Sequence, residues 1–190
     1  MPINEKNNIK KGKALELADI ASYLKSPKGF RFELISRRHT SSILKWRNDT
    51  SINKYFIRSE KLTLEKQNNF LKNYETKDRL DFVLLKIDQE IPVGVFSLIN
   101  ISSRPELGKL IGEKSFRGKG IARSATIYLL KFAFNYLMLN EVWATTQIKN
   151  TRNIELNESI GFKTIGEKRI NKKRYYVMKI DRRGVRWCGN

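Results

Sequence analysis

The feature that most constrains the fold is a glycine-containing loop that leads into a long helix. Residues 115–122 read Ser-Phe-Arg-Gly-Lys-Gly-Ile-Ala, and the apolar side chains that follow recur at spacings of three and four. Two glycines separated by one residue let the backbone turn tightly and approach a ligand closely. The free N–H groups and partial positive charge at the start of a helix favour an anion such as a pyrophosphate. The loop therefore predicts a phosphate-binding site, with an ordinary surface loop as the alternative.

Several other kinds of site are excluded or disfavoured. The Walker spacing Gly-x-x-x-x-Gly-Lys-Ser/Thr is absent. A nicotinamide fingerprint fails because the third glycine is missing and the preceding segments predict a hairpin. The single cysteine, Cys188, excludes an internal disulfide and a multi-cysteine zinc site, and no metal is expected. A catalytic thiol would need His39, the only histidine, and nothing in the sequence brings the two together.

The charge of the chain indicates anionic partners. A formal net charge of +19 arises from 38 basic and 19 acidic residues among 190. Such a field attracts nucleic acid, phosphorylated cofactors or nucleotide sugars, although a lysine-rich surface can also simply maintain solubility. No apolar run reaches the roughly 18 residues of a membrane span, and residues 1–13 lack the apolar stretch of a secretory signal. We therefore expect a cytoplasmic protein with no membrane partner.

The chain is predicted to contain an extension, 1–29, and one domain, 30–190. Residues 13–25 have the apolar spacing of a short amphipathic helix. Strands are predicted at 30–35, 81–87, 92–101, 107–113, 141–148, 162–170 and 174–180, and helices at 40–47, 64–74, 121–139 and 151–160. This order predicts an α+β, or mixed α/β, domain rather than a regular doubly wound sheet.

Three segments together resemble the GNAT family of N-acetyltransferases. Arg117, Gly120 and Ala122 match the family's Arg/Gln-x-x-Gly-x-Gly/Ala signature at the start of its central helix. Residues 107–112 resemble the family's cofactor strand, and 150–153 followed by Gly161-Phe162 resemble its next conserved segment. The resemblance implies a GNAT fold, a central, mostly antiparallel sheet with splayed middle strands and about four flanking helices. It also implies acetyl-CoA as cofactor.

The resemblance assigns the cofactor to residues of these three segments. The expected cofactor-binding residues are Leu110, Ile111, Gly112, Arg117, Gly118, Lys119, Gly120, Ile121, Ala122, Arg123, Asn150 and Asn153. The strand backbone would bond the pantetheine arm, and the loop would hold the pyrophosphate.

The implied reaction is direct attack of a neutral amine on the thioester carbonyl. A base must remove the amine's proton, and Glu106 and Glu113 bracket the cofactor strand. Either carboxylate could instead be a solvated surface charge. Many relatives place a tyrosine four residues before the Gly-Phe pair, where it can protonate the departing thiolate. This chain has Asn157 there, which could donate a hydrogen bond to sulfur, or a water could supply the proton.

A second resemblance concerns the acceptor amine. Residues 45–48, Lys-Trp-Arg-Asn, and 63–65, Thr-Leu-Glu, are similar to the nucleotide-sugar N-acetyltransferases of pseudaminic acid biosynthesis. These act on the 4-amino group of a UDP-linked 4-amino-4,6-dideoxy sugar. The implied acceptor residues are Trp46, Arg47, Asn48, Tyr55 and Arg58, with Phe56 beside them.

Other functions remain open from the sequence. Trp46 could be a core residue and Arg47 a structural one. Within the family, the alternative is a protein N-terminal acetyltransferase of the ribosomal-protein type. From another class, the domain could be a non-catalytic module that binds nucleic acid or the ribosome. Either a monomer or a homodimer is compatible with the sequence.

Overall fold

The computed structural model describes residues 22–187, which form one seven-stranded sheet flanked by helices. The strands are β1 (Phe30–Leu34), β2 (Arg79–Lys86), β3 (Ile91–Ile99), β4 (Glu106–Ile111), β5 (Glu141–Gln147), β6 (Lys163–Ile170) and β7 (Lys173–Asp181). The α-helices are α1 (Thr40–Asn48), α2 (Thr50–Asn53), α3 (Leu64–Lys72), α4 (Ile121–Asn135) and α5 (Thr151–Ile160). None of the helices in this range is long and apolar enough to cross a membrane.

The sheet is divided at its centre. Its strand order is β1-β2-β3-β4-β5-β7-β6, and every neighbouring pair is antiparallel except β4 and β5. These two parallel strands share a single register pair, Glu106 with Trp143. Beyond that pair the strands diverge, and we call the opening between residues 107–111 and 144–147 the wedge. This arrangement confirms the predicted α+β fold with splayed middle strands.

The alternation of side chains along the strands gives the sheet two covered faces. Leu80, Phe82 and Leu84 of β2 belong to the large core cluster that includes residues of α4. Val83 and Leu85 point to the other face and pack with Ile43 of α1. Helices α1–α3 therefore cover one face, and α4 and α5 cover the other.

The central helix α4 is shorter than its apolar pattern predicts. It begins after Gly120 and ends at Asn135, four residues before the predicted end. The N–H groups of Tyr136 and Leu137 both donate to the carbonyl of Phe132, which closes the last turn tightly. Met138 then takes a positive φ of 53° and directs the chain toward β5. Leu137 and Leu139 therefore pack against the core from the segment that follows the helix, not from the helix itself.

The end of the predicted extension packs against the domain. Most of the helix predicted at 13–25 lies outside the described residues, and Ser22 and Tyr23 form a turn. Leu24 is 8% exposed and joins the main core, while Tyr23 stacks on Tyr136 with ring centroids 5.2 Å apart. The packed structure therefore begins before Phe30, where the domain was predicted to start.

Candidate active site

The glycine loop faces open space at the N-terminus of α4. Gly118 and Gly120 have φ angles of 76° and 73°, which side chains other than glycine rarely adopt. A Cβ atom added at either glycine would meet no protein atom within 4 Å. The first hydrogen bond of the helix runs from the N–H of Ser124 to the carbonyl of Gly120. The N–H groups of Ile121 and Ala122 thus precede the first hydrogen bond of the helix and can face an anion.

The cationic side chains of this loop contact protein carbonyls. Arg117 donates from Nε to the carbonyl of Ile111 at 3.0 Å and from Nη2 to that of Gly112 at 2.6 Å. Arg123 Nη2 lies 3.4 Å from the carbonyl oxygen of Ser159 at the end of α5. Lys119 is exposed, with its Nζ 5.9 Å from the Phe116 ring centroid. In this arrangement Arg117 fixes the end of β4 against the loop, and Lys119 is the cation that faces solvent.

The wedge contains a polar cluster that the sequence analysis missed in part. Lys109 of β4 donates a hydrogen bond to Oδ1 of Asn157, which is fully buried on α5. Asn157 Nδ2 lies 3.2 Å from Oγ1 of Thr146 on β5, and Asn153 Nδ2 lies 3.0 Å from the same oxygen. The cluster therefore links both walls of the wedge through α5. The alternation of side chains along β4 could have identified Lys109, because this lysine lies on the same face of the strand as the buried Leu107.

Burial changes the acidity of the lysine in this cluster. The residue is half-buried as a whole, but desolvation of its ammonium group lowers the pKa of Lys109 to about 7. The ammonium of Lys109 can therefore exchange a proton near neutral pH.

Asn150 lies at the entrance to α5. Its carbonyl accepts hydrogen bonds from the N–H groups of Asn153 and Ile154. Its side chain makes no capping hydrogen bond at the N-terminus of the helix. The backbone of Asn150 thus starts the helix, and its amide is not required for that task.

The two candidate bases have different surroundings. Glu113 accepts hydrogen bonds from Lys45 Nζ at 2.8 Å and from Trp46 Nε1 at 2.9 Å. The Lys45 bond is the largest cause of the lowered pKa of Glu113, so this carboxylate is a weakened base tied to α1. Glu106 lies at the closed end of the wedge, paired with Trp143. Of the two carboxylates, Glu106 is the one at the point where β4 and β5 separate.

Three of the predicted acceptor residues organise the fold instead of lining a cleft. Trp46 is 1% exposed and lies directly on Gly112, so it is out of reach of a substrate. Asn48 bonds both backbone groups of Leu62, at 2.9 and 2.8 Å. Arg47 stacks on the Phe56 ring at 4.3 Å and donates to the carbonyl of Arg58 at 3.4 Å. Arg47 and Asn48 thus hold the loop of residues 54–62, and Trp46 packs α1 against the end of β4.

That loop reaches across the face of the sheet that carries α1–α3. Lys173, at the start of β7, donates to the carbonyl of Lys54 at 3.2 Å. The loop thus spans from α1 to β7 and presents exposed Arg58 and half-buried Tyr55. We call this side of the wedge the acceptor face.

A basic and aromatic group lies on the acceptor face near Glu106. The Trp143 side chain is half-buried, and the guanidinium of Arg104 stacks 3.7 Å from its ring centroid. Lys179 of β7 approaches the same ring at 5.4 Å. Lys179 also pairs with Glu141 Oε2 at 3.1 Å, so Arg104 is the cation of this group that can most readily bind an anionic group near the closed end of the wedge.

Alternative chemistries find little support in the described residues. His39 is 1% exposed and bonds locally to Ser36, and desolvation lowers its pKa to about 4. Cys188, its suggested partner, lies outside the described residues. Between residues 22 and 187, no group of three His, Cys, Asp or Glu side chains is placed to hold a metal ion.

Comparison with known proteins identifies the domain. The family model of the acetyltransferase (GNAT) domain matches residues 30–163. An uncharacterized protein of Methanocaldococcus jannaschii is 31% identical over 140 residues, a match that covers 71% of this chain and 28% of that longer protein.

Solved structures share the fold. Spermidine N-acetyltransferase from Vibrio cholerae, in complex with CoA and spermine, is 21% identical, with a TM-score of 0.74 over 83% of this chain and 98% of that one. A domain from Methanocaldococcus jannaschii is 26% identical, with a TM-score of 0.70 over 80% and 97%. A GNAT-family acetyltransferase from Bacillus anthracis is 20% identical, with a TM-score of 0.71 over 83% and 97%.

Proposed function

This chain belongs to the GNAT acetyltransferase family, and we propose that it transfers the acetyl group of acetyl-CoA to the 4-amino group of a UDP-linked 4-amino-4,6-dideoxy sugar. GNAT acetyltransferases use acetyl-CoA, so the cofactor follows from the family. The acceptor is inferred from the charge and side chains of the acceptor face.

The loop and the wedge supply complementary parts of a cofactor site. The N–H groups of Ile121 and Ala122 at the start of α4 suit the pyrophosphate, and the diverging strands leave room for the pantetheine arm. Asn150 and Asn153 stand at the far wall of the wedge, where they could contact the arm. Lys119 would add a cation at the phosphate end.

The acceptor face carries the proposal for an anionic acceptor. Arg104 and Lys179 flank the Trp143 ring, two residues along β5 from its start and beside Glu106. A guanidinium binds phosphate in bidentate geometry, and aromatic rings stack on a uracil or a sugar. Tyr55 and Arg58 add a second aromatic and cationic pair on the loop above.

The net charge argues against a polyamine acceptor for this chain. Spermidine is a polycation, and a protein of net charge +19 lowers its local concentration by repulsion. An anionic nucleotide sugar is attracted by the same field. The structural neighbours that act on spermidine are about one-fifth identical to this chain, a level at which they share its fold.

In the proposed reaction Glu106 accepts the proton that the acceptor's ammonium must lose. The amine then attacks the thioester carbonyl, whose developing negative charge would be stabilised by backbone N–H groups of β4 that face the wedge. The carbon–sulfur bond of the resulting tetrahedral intermediate then breaks, and CoA leaves as a thiolate.

A panel of acceptors tests the proposal. Acetyl-CoA is offered with a UDP-4-amino-4,6-dideoxy sugar, a ribosomal-protein N-terminal peptide, or spermidine, and CoA release is followed with a thiol reagent. We expect turnover with the sugar nucleotide. If only the peptide or only spermidine is acetylated, the proposed sugar-nucleotide acceptor is wrong. If no amine is acetylated, the result favours a non-catalytic binding module.

Variants of the acceptor face provide the matched comparison. Arg104→Ala and Lys179→Ala should each raise KM for the sugar nucleotide several-fold without changing acetyl-CoA affinity. Lys28→Ala removes an exposed lysine of the turn before β1, at the opposite edge of the sheet, and should leave both unchanged. Equal effects of all three variants would show that only the overall charge matters.

A further inference from the structure

We propose that the ammonium group of Lys109 donates the proton to the CoA thiolate when the thioester bond breaks. The inference rests on acetyl transfer from acetyl-CoA and is independent of the acceptor's identity. Neither the loop motif nor the resemblance assigned a role to this residue.

The first support is the geometry of the wedge. Lys109 projects from β4, the cofactor strand, and its Nζ meets Oδ1 of Asn157 on α5. Asn157 occupies the position at which related enzymes carry a tyrosine that reaches the thiolate. A tyrosine side chain is longer than asparagine, so Asn157 leaves a gap that the lysine fills from the opposite wall. The donor function can thereby move from α5 to β4.

The second support is that Asn157 holds the lysine in one orientation. Nδ2 of Asn157 lies 3.2 Å from Thr146 Oγ1 and 3.5 Å from Met178 Sδ. These contacts orient the amide so that its oxygen faces Lys109. Asn157 is therefore a positioning residue, and Lys109 carries the proton.

Among residues 22–187, no carboxylate lies beside the ammonium group to compensate its charge. The residue opposite Lys109 on β3 is Phe96, β5 contributes Thr146, and the acidic residues of α5, Glu155 and Glu158, lie on its exposed side. Desolvation lowers the pKa of Lys109 to about 7, so the ammonium gives up a proton more readily than an exposed lysine. A thiolate formed beside it would receive both a countercharge and a proton.

The chemical step balances without a further reagent. The acceptor nitrogen forms a bond to the carbonyl carbon, and the carbon–sulfur bond breaks with its electron pair passing to sulfur. Sulfur takes a proton from Lys109 Nζ and leaves as CoA thiol. The acceptor's ammonium loses two protons in all. Glu106 takes the first before the attack and releases it to solvent, and the second, lost as the amide forms, passes through water to the neutral lysine.

The test measures the ionisation of CoA bound to the full-length protein. Thiolate absorbs in the ultraviolet, so a pH titration of the CoA complex, with the desulfo-CoA complex as blank, gives the thiol pKa directly. A cation in contact with sulfur should increase the ionisation constant at least about tenfold relative to free CoA. Lys109→Met, which keeps an unbranched side chain one heavy atom shorter and removes the charge, should abolish this shift, and Lys163→Met should retain it. A bound thiol that ionises like free CoA in the wild type would overturn the proposal.

Two further variants separate proton donation from a packing role. Lys109→Arg retains the cation but does not release protons at neutral pH, so the thiol shift should persist while kcat falls at least about tenfold. Asn157→Asp places a carboxylate beside Lys109 and should move the high-pH limb of the rate profile upward. Wild-type kcat in Lys109→Arg, or acetylation of Lys109 when acetyl-CoA is supplied alone, would show that the lysine is not the proton donor.

Discussion

Adding one methyl group at Gly112 should destabilise the fold because Trp46 occupies the space of the missing side chain. A Cβ atom built at Gly112 would lie 2.0, 2.2 and 2.3 Å from three atoms of the Trp46 ring. Non-bonded carbon atoms ordinarily lie about 3.5–4.0 Å apart. The Trp46 ring would therefore have to move by more than about 1 Å to make room for the added Cβ atom. Trp46 is 1% exposed and bonded to Glu113 at 2.9 Å, which leaves it little room to move.

The expected cost of Gly112→Ala has two parts. Overpacking a buried site costs about 1–3 kcal/mol, and loss of a hydrogen bond to a charged group adds about 1.5–3 kcal/mol. The total of about 2.5–6 kcal/mol would lower the melting temperature by roughly 5–24 °C in a chain of this size. Urea unfolding followed by tryptophan fluorescence measures the free energy directly.

The matched control is Gly166→Ala in the edge strand β6. A Cβ atom at Gly166 would meet nothing within 4 Å, so its free energy of unfolding should change by less than about 0.5 kcal/mol. Replacing Trp46 with phenylalanine in the Gly112→Ala background should recover part of the loss, as a double-mutant cycle would show. A Gly112→Ala protein as stable as the wild type would refute the packing described for α1 and β4.

Four other predictions concern binding, catalysis and stability. Asn150→Ala should weaken acetyl-CoA binding by about 1–3 kcal/mol in calorimetry, and an unchanged affinity would make Asn150 a turn residue only. Glu106→Gln should lower kcat by about 10²–10⁴-fold with acetyl-CoA affinity intact, and wild-type turnover would exclude this base. The kcat/KM for the sugar nucleotide should fall as sodium chloride is raised, whereas a flat profile would mean that net charge does not steer it. Lys109→Met should raise the melting temperature at pH 7, since folding of the wild type at that pH must either desolvate the ammonium or remove its proton, and the gain should shrink toward pH 10.5, the ordinary pKa of lysine; no gain at pH 7 would contradict the desolvation of this group.

Much of the fold could be predicted from local sequence because most strands and helices are long enough to show a repeating spacing of apolar residues. The loop and the start of α4 are encoded in adjacent residues, since Gly118 and Gly120 supply the positive φ angles that the turn requires. Thr63 likewise caps α3, accepting a hydrogen bond from the N–H of Lys66. Helix α2 was missed because four residues, Thr50–Asn53, contain barely one turn of period.

The site was harder to predict because its contacts join distant parts of the chain. Lys109 and Asn157 are 48 residues apart, and only the topology of the sheet and α5 brings them together. The short motif around Trp46 matched relatives in sequence, yet the burial of Trp46 depends on the missing side chain of Gly112, 66 positions later. Sequence identified the types of residue, and tertiary packing decided which of them face a ligand.

Calorimetric binding of acetyl-CoA to Gly120→Val tests most directly whether the glycine loop holds the cofactor. A valine side chain at position 120 would strain the backbone, because the φ angle there is +73°. The described protein atoms leave open space around this position, so the side chain would occupy the space through which a pyrophosphate approaches. Gly166→Val, in an exposed strand where β-branched residues are favoured, is the control. We expect at least about tenfold weaker binding, or 1.4 kcal/mol, for folded Gly120→Val and unchanged binding for Gly166→Val. Wild-type affinity in a folded Gly120→Val protein would contradict it.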